Sequence, residues 1–159
     1  MRKALFLFMV FGLVGLMCGC EVGTTALSES DISDDYNEEV KKSLRKLILT
    51  GNCKECPFVG VDISGKDLSH KDLTKADLTG ANLKGADLTK ADLTGANLIR
   101  ADLTKAELTG ANLIRANLNG ADLTFANLKG ANMKNIRNLD SAIKCKTIFS
   151  WGEDNSGCK

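Results

Sequence analysis

One five-residue pattern repeats without a gap from Cys56 to Asn135, over 16 units. Most units read Ala, then Asp or Asn, then Leu, then two further residues. The third place always holds a large apolar residue: Phe58, Ile63, Leu68, Leu73, Leu78, Leu83, Leu88, Leu93, Leu98, Leu103, Leu108, Leu113, Leu118, Leu123, Leu128 and Met133. This period limits which secondary structure can bury these residues on one side.

An α-helix cannot do so. A helix turns by about 100° per residue, so a Leu at every fifth residue advances by about 140° and spreads around the whole circumference. Within each unit, however, Ala and Leu stand two places apart with a polar residue between them, which is the alternation of a short β-strand. The two remaining residues suit a tight bend. Each unit is therefore predicted to form one strand-like side and one corner.

The last place of the unit holds Gly in many units and a basic residue in others. Glycine there fits a bend that needs a positive φ. The basic residues in the same place indicate that not every bend requires that conformation. The glycines include Gly80, Gly95, Gly110 and Gly120, and the basic residues include Lys75, Lys90, Arg100 and Lys105.

Short sides joined by regular bends stack into a solenoid. The run resembles the pentapeptide repeat family, and this resemblance implies an all-β solenoid, a right-handed quadrilateral β-helix with four sides per coil. Sixteen units then give about four coils and a rod about 20 Å tall. Lys66 and Lys71 stand where Ala is expected, so we expect the first coil to be distorted.

Residues 1–19 have the features of a signal peptide, because Arg2 and Lys3 precede an apolar run too short to span a bilayer. Gly19 followed by Cys20 is similar to the lipobox of bacterial lipoproteins, which implies lipid attachment at Cys20. Glu21, in place of Asp, indicates the outer membrane by the same resemblance. The expected localisation is thus an exported, membrane-anchored lipoprotein. An ordinary cleaved signal peptide with an unmodified Cys20 is the alternative.

Residues 20–35 are rich in Ser, Thr, Asp and Glu, and we expect them to form a flexible tether. A helical period of apolar residues then predicts one amphipathic helix over 37–49 within a capping segment at 36–52. Asp34 or Asp35 is expected to cap its start and Gly51 to end it. An open coil end needs covering, so the helix is expected to cover the N-terminal end of the repeat domain at 53–135. A helix that binds a partner is the alternative.

Four cysteines lie beyond the leader. In an exported protein they are expected to form disulfides, and the simplest pairs are Cys53 with Cys56 and Cys145 with Cys158. A four-thiolate zinc site would require the two ends of the rod to meet. A redox-active pair at Cys53 and Cys56 remains as an alternative, although no βαβ pattern surrounds it.

The sequence offers little catalytic chemistry, and we expect no enzyme activity, metal, cofactor or small-molecule substrate. The single His70 has no partner for a triad or a metal cluster. Stacked Asp67, Asp87 and Glu107 resemble a carboxylate cluster, but repeats place like residues in columns automatically, so solvated ladders are expected. Residues 56–135 contain nine acidic and ten basic residues, which gives no basic stripe for nucleic acid. Some members of the family mimic DNA and bind type II topoisomerases. That alternative needs a strongly acidic rod.

Protein binding remains as the expected function. Ile99 with Arg100 and Ile114 with Arg115 are predicted to expose apolar and guanidinium groups on adjoining faces, with Phe125 at another corner. Such groups are typical of contact surfaces. Residues 136–159 are expected to plug the C-terminal end, or to offer Trp151 as a binding anchor. The sequence thus predicts a non-enzymatic structural or interaction module of the bacterial cell envelope with an unknown protein partner.

Overall fold

The computed structural model describes residues 24–158. The predicted signal peptide at 1–19 and the candidate lipidation site Cys20 lie outside these residues. Within the described part of the chain, no helix has the length and apolar character needed to cross a membrane.

The repeats wind into a coil whose ladders join outward-facing residues 20 positions apart. One such ladder runs through Pro57, Asp77, Asn97, Asn117 and Arg137. Because every five-residue unit makes one such bridge, each turn of the coil has four sides. Each side contributes only one or two residues to a ladder, so most of the pairing consists of isolated parallel bridges.

The apolar residues of the repeat fill the inside of this coil. Leu78, Leu98 and Leu118 each expose 0% of their surface and follow three consecutive members of one ladder, so they lie over one another. The Ala residues two places earlier are buried in the same way from Ala76 to Ala126. Leu and Ala thus alternate inward with polar residues outward, as the sequence predicts.

Every corner adopts the same backbone turn, whichever residue stands in its last place. The N–H of Ala76 donates to the carbonyl of Leu73 across the corner (3.0 Å), and Lys75, the second of the two residues between them, has a φ of 54°, as in a type II turn. Gly80 has a φ of 63° and Lys105 a φ of 61°. The prediction that only some bends need this conformation was wrong. At most corners the N–H of the residue in the last place donates to a carbonyl of the next turn of the coil, so stacking fixes the corner even where a side chain is present.

The Asp or Asn of each unit forms part of the corner that follows it. The Oδ1 of Asp87 accepts a hydrogen bond from the backbone N–H of Thr89 (2.8 Å), and the same contact recurs at most corners. These side chains therefore have a structural role that explains their recurrence at this place.

Helix α1 (Glu38–Thr50) covers the N-terminal end of the coil. Its buried residues Val40, Leu44 and Leu47 belong to the same apolar cluster as the repeat leucines. Asn37 caps the helix by accepting a hydrogen bond from the N–H of Val40 (2.9 Å), so the prediction of Asp34 or Asp35 was wrong. Gly51 ends the helix with a φ of 67°.

The predicted tether is folded onto the coil from residue 25 onward. Strand β1 (Thr25–Ala26) pairs in parallel with β2 (Lys66–Asp67) and continues the ladder below the first turn. Lys66 contacts Asp31, with 2.7 Å between Nζ and Oδ1, and donates to the hydroxyl of Thr25. A 3-10 turn at Glu29–Asp31 follows β1. The lysine in the alanine place therefore provides a docking point, because it supplies a partner for a carboxylate brought by the N-terminal segment.

The backbone N–H groups at the N-terminal edge of the coil are satisfied in different ways on its different sides. Tyr36 accepts a hydrogen bond from the N–H of Asp62 through its phenol oxygen (2.8 Å), where higher turns use a backbone carbonyl. The N–H of Asp72 donates to the carbonyl of Gly51 (2.9 Å). On a third side Pro57 has no N–H to satisfy. The 20-residue register holds through this turn, so the expected distortion of the first coil does not occur in its ladders.

The C-terminal end is built from one irregular turn and a hairpin. After the 3-10 turn at Leu139–Ser141 the spacing of the ladder rises to 21 residues. Strand β3 (Asn127–Leu128) pairs with β4 (Thr147–Phe149), which pairs in antiparallel fashion with β5 (Gly152–Asp154). Phe149 is buried and closes part of the core.

Candidate functional site

The five residues of the predicted contact patch do not form one surface. Arg100 and Arg115 are exposed, but Ile99 and Ile114 are half-buried. The ladders place Ile99, Ile114 and Phe125 at three different corners, and the corners of Ile114 and Phe125 are diagonally opposed. Ile99 and Ile114 thus stand at adjoining corners with Phe125 at another, as predicted, but the two isoleucines are less exposed than expected. A contact role for these residues stays a prediction.

A different apolar surface surrounds the C-terminal end of the coil. It comprises Phe125, Ile143, Ile148 and Trp151, which expose 47%, 45%, 42% and 68% of their surface. We call these four residues the C-terminal collar. Among the large apolar residues of the described chain, the other exposed ones, Leu49 and Val59, lie at the opposite end.

The ladders position the collar. Ile143 pairs with Asp122 and Ile148 with Asn127, so the two isoleucines take the outward place on adjoining sides. Phe125 stands at the corner between those sides, and the Nζ of Lys146 lies 5.3 Å from the centre of its ring. The collar therefore runs around one corner, with a cation on its aromatic ring.

Trp151 lies above the end of the core. Its ring stacks on that of Phe149 with 4.6 Å between centroids and an angle of 5°. Phe149 itself is buried. The residues predicted to plug this end therefore divide into a buried part and an exposed part, and Trp151 belongs to the exposed part.

A disulfide and close backbone packing hold the collar in place. Cys145 is bonded to Cys158, which joins the segment just before β4 to the tail beyond β5. At Gly157 an added Cβ would lie 2.6 Å from the backbone nitrogen of Lys144, so only glycine fits. Lys144 is itself buried and donates from Nζ to the carbonyl of Leu139 (3.1 Å). The exposed apolar residues thus stand on a fixed framework.

The collar as a surface was not predicted, although the sequence contains a signal for it. Ile143 and Ile148 occupy the outward place that Asp or Asn fills in most repeats. The one-residue insertion before them breaks the five-residue spacing, so their place in the repeat is visible only once the register is known.

The second disulfide joins Cys53 to Cys56 at the N-terminal end. Both residues are buried, with 0% and 5% exposure. A redox-active pair needs an accessible sulfur, so this burial disfavours a thiol-exchange role. A cleft with a volume of about 390 Å³ lies beside it, lined by residues that include Lys42, Lys46 and Glu55.

Outward carboxylates are used structurally, and hydrogen bonds favour the ionised form of Asp67 and Asp72. The hydrogen bonds from the hydroxyl and N–H of Ser69 lower the pKa of Asp67 below its ordinary value. At Asp72, partial burial raises the pKa, but the hydrogen bonds from Thr74 and Lys54 outweigh it and the net shift is downward. A general acid at neutral pH needs a raised pKa, which these groups lack. Residues 24–158 contain no group of three or more His, Cys, Asp or Glu arranged to hold a metal.

The family described as "Pentapeptide repeats (8 copies)" matches residues 56–95 and 96–135, together half of the chain. The chain therefore belongs to the pentapeptide repeat family. Its members form right-handed quadrilateral β-helices and are generally structural or interaction proteins, not enzymes. No curated protein matches the chain significantly.

Two crystal structures of such proteins resemble the chain. One is a pentapeptide repeat protein from the thylakoid lumen of Arabidopsis thaliana, with 35% identity over 62% of this chain and a TM-score of 0.54. The matched region spans 65% of that protein's length. The other is Rfr23 from the cyanobacterium Cyanothece 51142, with 26% identity, 64% of this chain and 96% of that chain covered, and a TM-score of 0.51.

Proposed function

We propose that this protein is an exported lipoprotein, anchored through Cys20, that binds a protein partner in the bacterial cell envelope through its C-terminal collar. The repeat coil acts as a rigid, non-enzymatic support. The observation that carries this proposal is the clustering of four exposed large apolar residues, Phe125, Ile143, Ile148 and Trp151, at one end of the rod. Aromatic and aliphatic residues in such a cluster are typical of contact surfaces.

Export is supported by the leader sequence and by the two disulfides, since such bonds persist in oxidising compartments. The Arabidopsis relative comes from the thylakoid lumen, which is likewise outside the cytosol. Glu21 after Cys20 favours the outer membrane. The near balance of acidic and basic residues over 56–135 argues against DNA mimicry.

Two experiments test the two parts of this proposal. Fractionation of cells that express the full chain should place the protein in the membrane, and Cys20→Ser should release it into the soluble fraction. Identical partitioning of both proteins would reject the lipid anchor.

In-cell crosslinking tests the collar. An Ile148→Ser/Trp151→Ser variant should lose most of a discrete crosslinked adduct that the parent protein forms. Val59→Ser is the matched control, because Val59 is an apolar residue with 56% exposure at the opposite end. Equal adduct yields from both variants, with unchanged melting, would remove the collar as the binding surface.

A further inference from the structure

The N-terminal end of the coil lies close to Cys20 along the chain. Strand β1 begins at Thr25 and pairs at the N-terminal edge of the coil. Five Cα–Cα steps separate Thr25 from Cys20, and such a segment spans at most about 18 Å. A lipid on Cys20 would therefore hold this end of the coil near the bilayer. Any docking of this end on the membrane rests on that proposed anchor.

The surface presented at this end is the outer face of α1. Val40, Leu44 and Leu47 point into the core, so helical geometry directs Lys42, Arg45 and Leu49 to the opposite side. Lys42, Arg45 and Lys46 are exposed, and Leu49 exposes 79% of its surface. Leu49 and the three cations therefore share the face of α1 that is turned away from the core.

The local ion pairs leave part of this charge available. Arg45 forms an ion pair with Glu29, with 3.4 Å between Nε and Oε2. Glu38, on the same face, forms one with Lys41, with 3.3 Å between Oε1 and Nζ. Among the described residues, Lys42 and Lys46 have no carboxylate within ion-pair distance. Basic residues near a membrane are attracted to anionic headgroups, and an apolar side chain beside them enters the boundary with the acyl chains.

We propose that the outer face of α1, formed by Lys42, Arg45, Lys46 and Leu49, docks on the anionic headgroup layer of the membrane that holds the lipid anchor. The coil then stands with its N-terminal end on the membrane. The ladder from Ala26 through Asp67, Asp87, Glu107 and Asn127 to Ile148 has five steps, which place the collar about 24 Å further from the bilayer. Docking through α1 thus presents the collar to a partner away from the membrane.

Tryptophan quenching tests this orientation, because Trp151 is the only tryptophan of the chain and lies at the far end. The lipid-modified protein is inserted into vesicles of phosphatidylglycerol and phosphatidylcholine that carry brominated acyl chains. In the parent, quenching of the fluorescence shows whether Trp151 lies near the acyl chains. In a Leu49→Trp/Trp151→Phe variant, it shows whether the outer face of α1 does. Flotation with the vesicles is measured on the same samples.

We expect about twofold or greater quenching in the Leu49→Trp/Trp151→Phe variant and little or none in the parent. Adding Lys42→Glu and Arg45→Glu should reduce the quenching severalfold. The matched control carries Lys84→Glu and Lys105→Glu, which reverse the charge of two exposed lysines on the side of the coil. It should leave the quenching unchanged.

The outcomes separate the docking from the anchor. Flotation without quenching of the Leu49→Trp/Trp151→Phe variant overturns the docking and leaves the anchor in place. Equal quenching in the two proteins also overturns it, because the rod would then lie along the membrane. A protein that fails to float has no anchor, and the docking fails with it.

Discussion

A left-handed residue at every corner predicts that glycine and non-glycine substitutions have opposite effects on stability. Gly80 has a φ of 63°, and an added Cβ there would meet no atom within 4 Å. The cost of Gly80→Ala is therefore almost entirely a backbone cost. An L-residue in this conformation loses about 1–2 kcal/mol. The lower entropy of the unfolded alanine chain returns about 0.4–1 kcal/mol.

Gly80→Ala should therefore lower the free energy of unfolding by about 1 kcal/mol. Lys105, at another corner, has a φ of 61° and forms no ion pair within the described residues. Lys105→Gly should raise the free energy of unfolding by a similar amount. Thr104→Ala is the control at the neighbouring place of the same corner, where φ is not positive, and should change little.

The measurement is urea unfolding followed by circular dichroism, with linear extrapolation to water. The comparison of each variant with the parent is valid if their m-values agree, since both proteins then expose the same surface area on unfolding. A stabilising Gly80→Ala together with a destabilising Lys105→Gly would refute the left-handed corner.

The core, the N-terminal segment and the tail each give a further prediction. Leu98→Ala, in the middle of the stack, should lower the free energy of unfolding by about 3–5 kcal/mol in the same urea assay, and a loss below about 1 kcal/mol would contradict a close-packed axis. Partial burial raises the pKa of Asp31, but its hydrogen bonds with Lys66 and Ser28 outweigh that effect, so the pKa lies below its ordinary value. The stability from Asp31 is therefore present above about pH 4 and lost as the pH falls through the lowered pKa; Lys66→Met should flatten this acid limb, and an unchanged limb would exclude the pair. Replacing Cys145 and Cys158 together with Ser should lower the melting temperature and speed proteolysis of the tail before that of the repeats; cleavage at an unchanged rate would exclude the disulfide as its fastener.

The core of the coil is predictable from the sequence because it depends on a local pattern repeated many times. Leu98 and Ala96 are buried for the same reason as their equivalents in every other unit. The cysteine pairs also match their expected partners, since each pair lies within one segment of the chain.

The surface is harder to predict because it depends on which corner or side each residue reaches. Ile99 and Ile114 were expected to be exposed at their corners, yet both are half-buried. Ile148 looks like a plug, yet the one-residue insertion turns it outward. A shift of one residue reverses the direction of a side chain in a strand, so small irregularities decide which apolar residues are exposed.

The five-residue period by itself determined that Leu and Ala point to a common axis, because a helix would spread them around its circumference and a short strand-like side puts both on one face. Only the tertiary structure decided the backbone of the corners and the position of residues 25–36. At corners such as those of Lys75 and Lys105, the hydrogen bond to the next turn overrides the residue's own preference against a positive φ. The N-terminal segment is polar enough to read as a tether, and it becomes ordered because the edge of the first turn offers unpaired backbone groups and Lys66 offers a charge. These partners lie about 40 residues away along the chain, where no local pattern can reveal them.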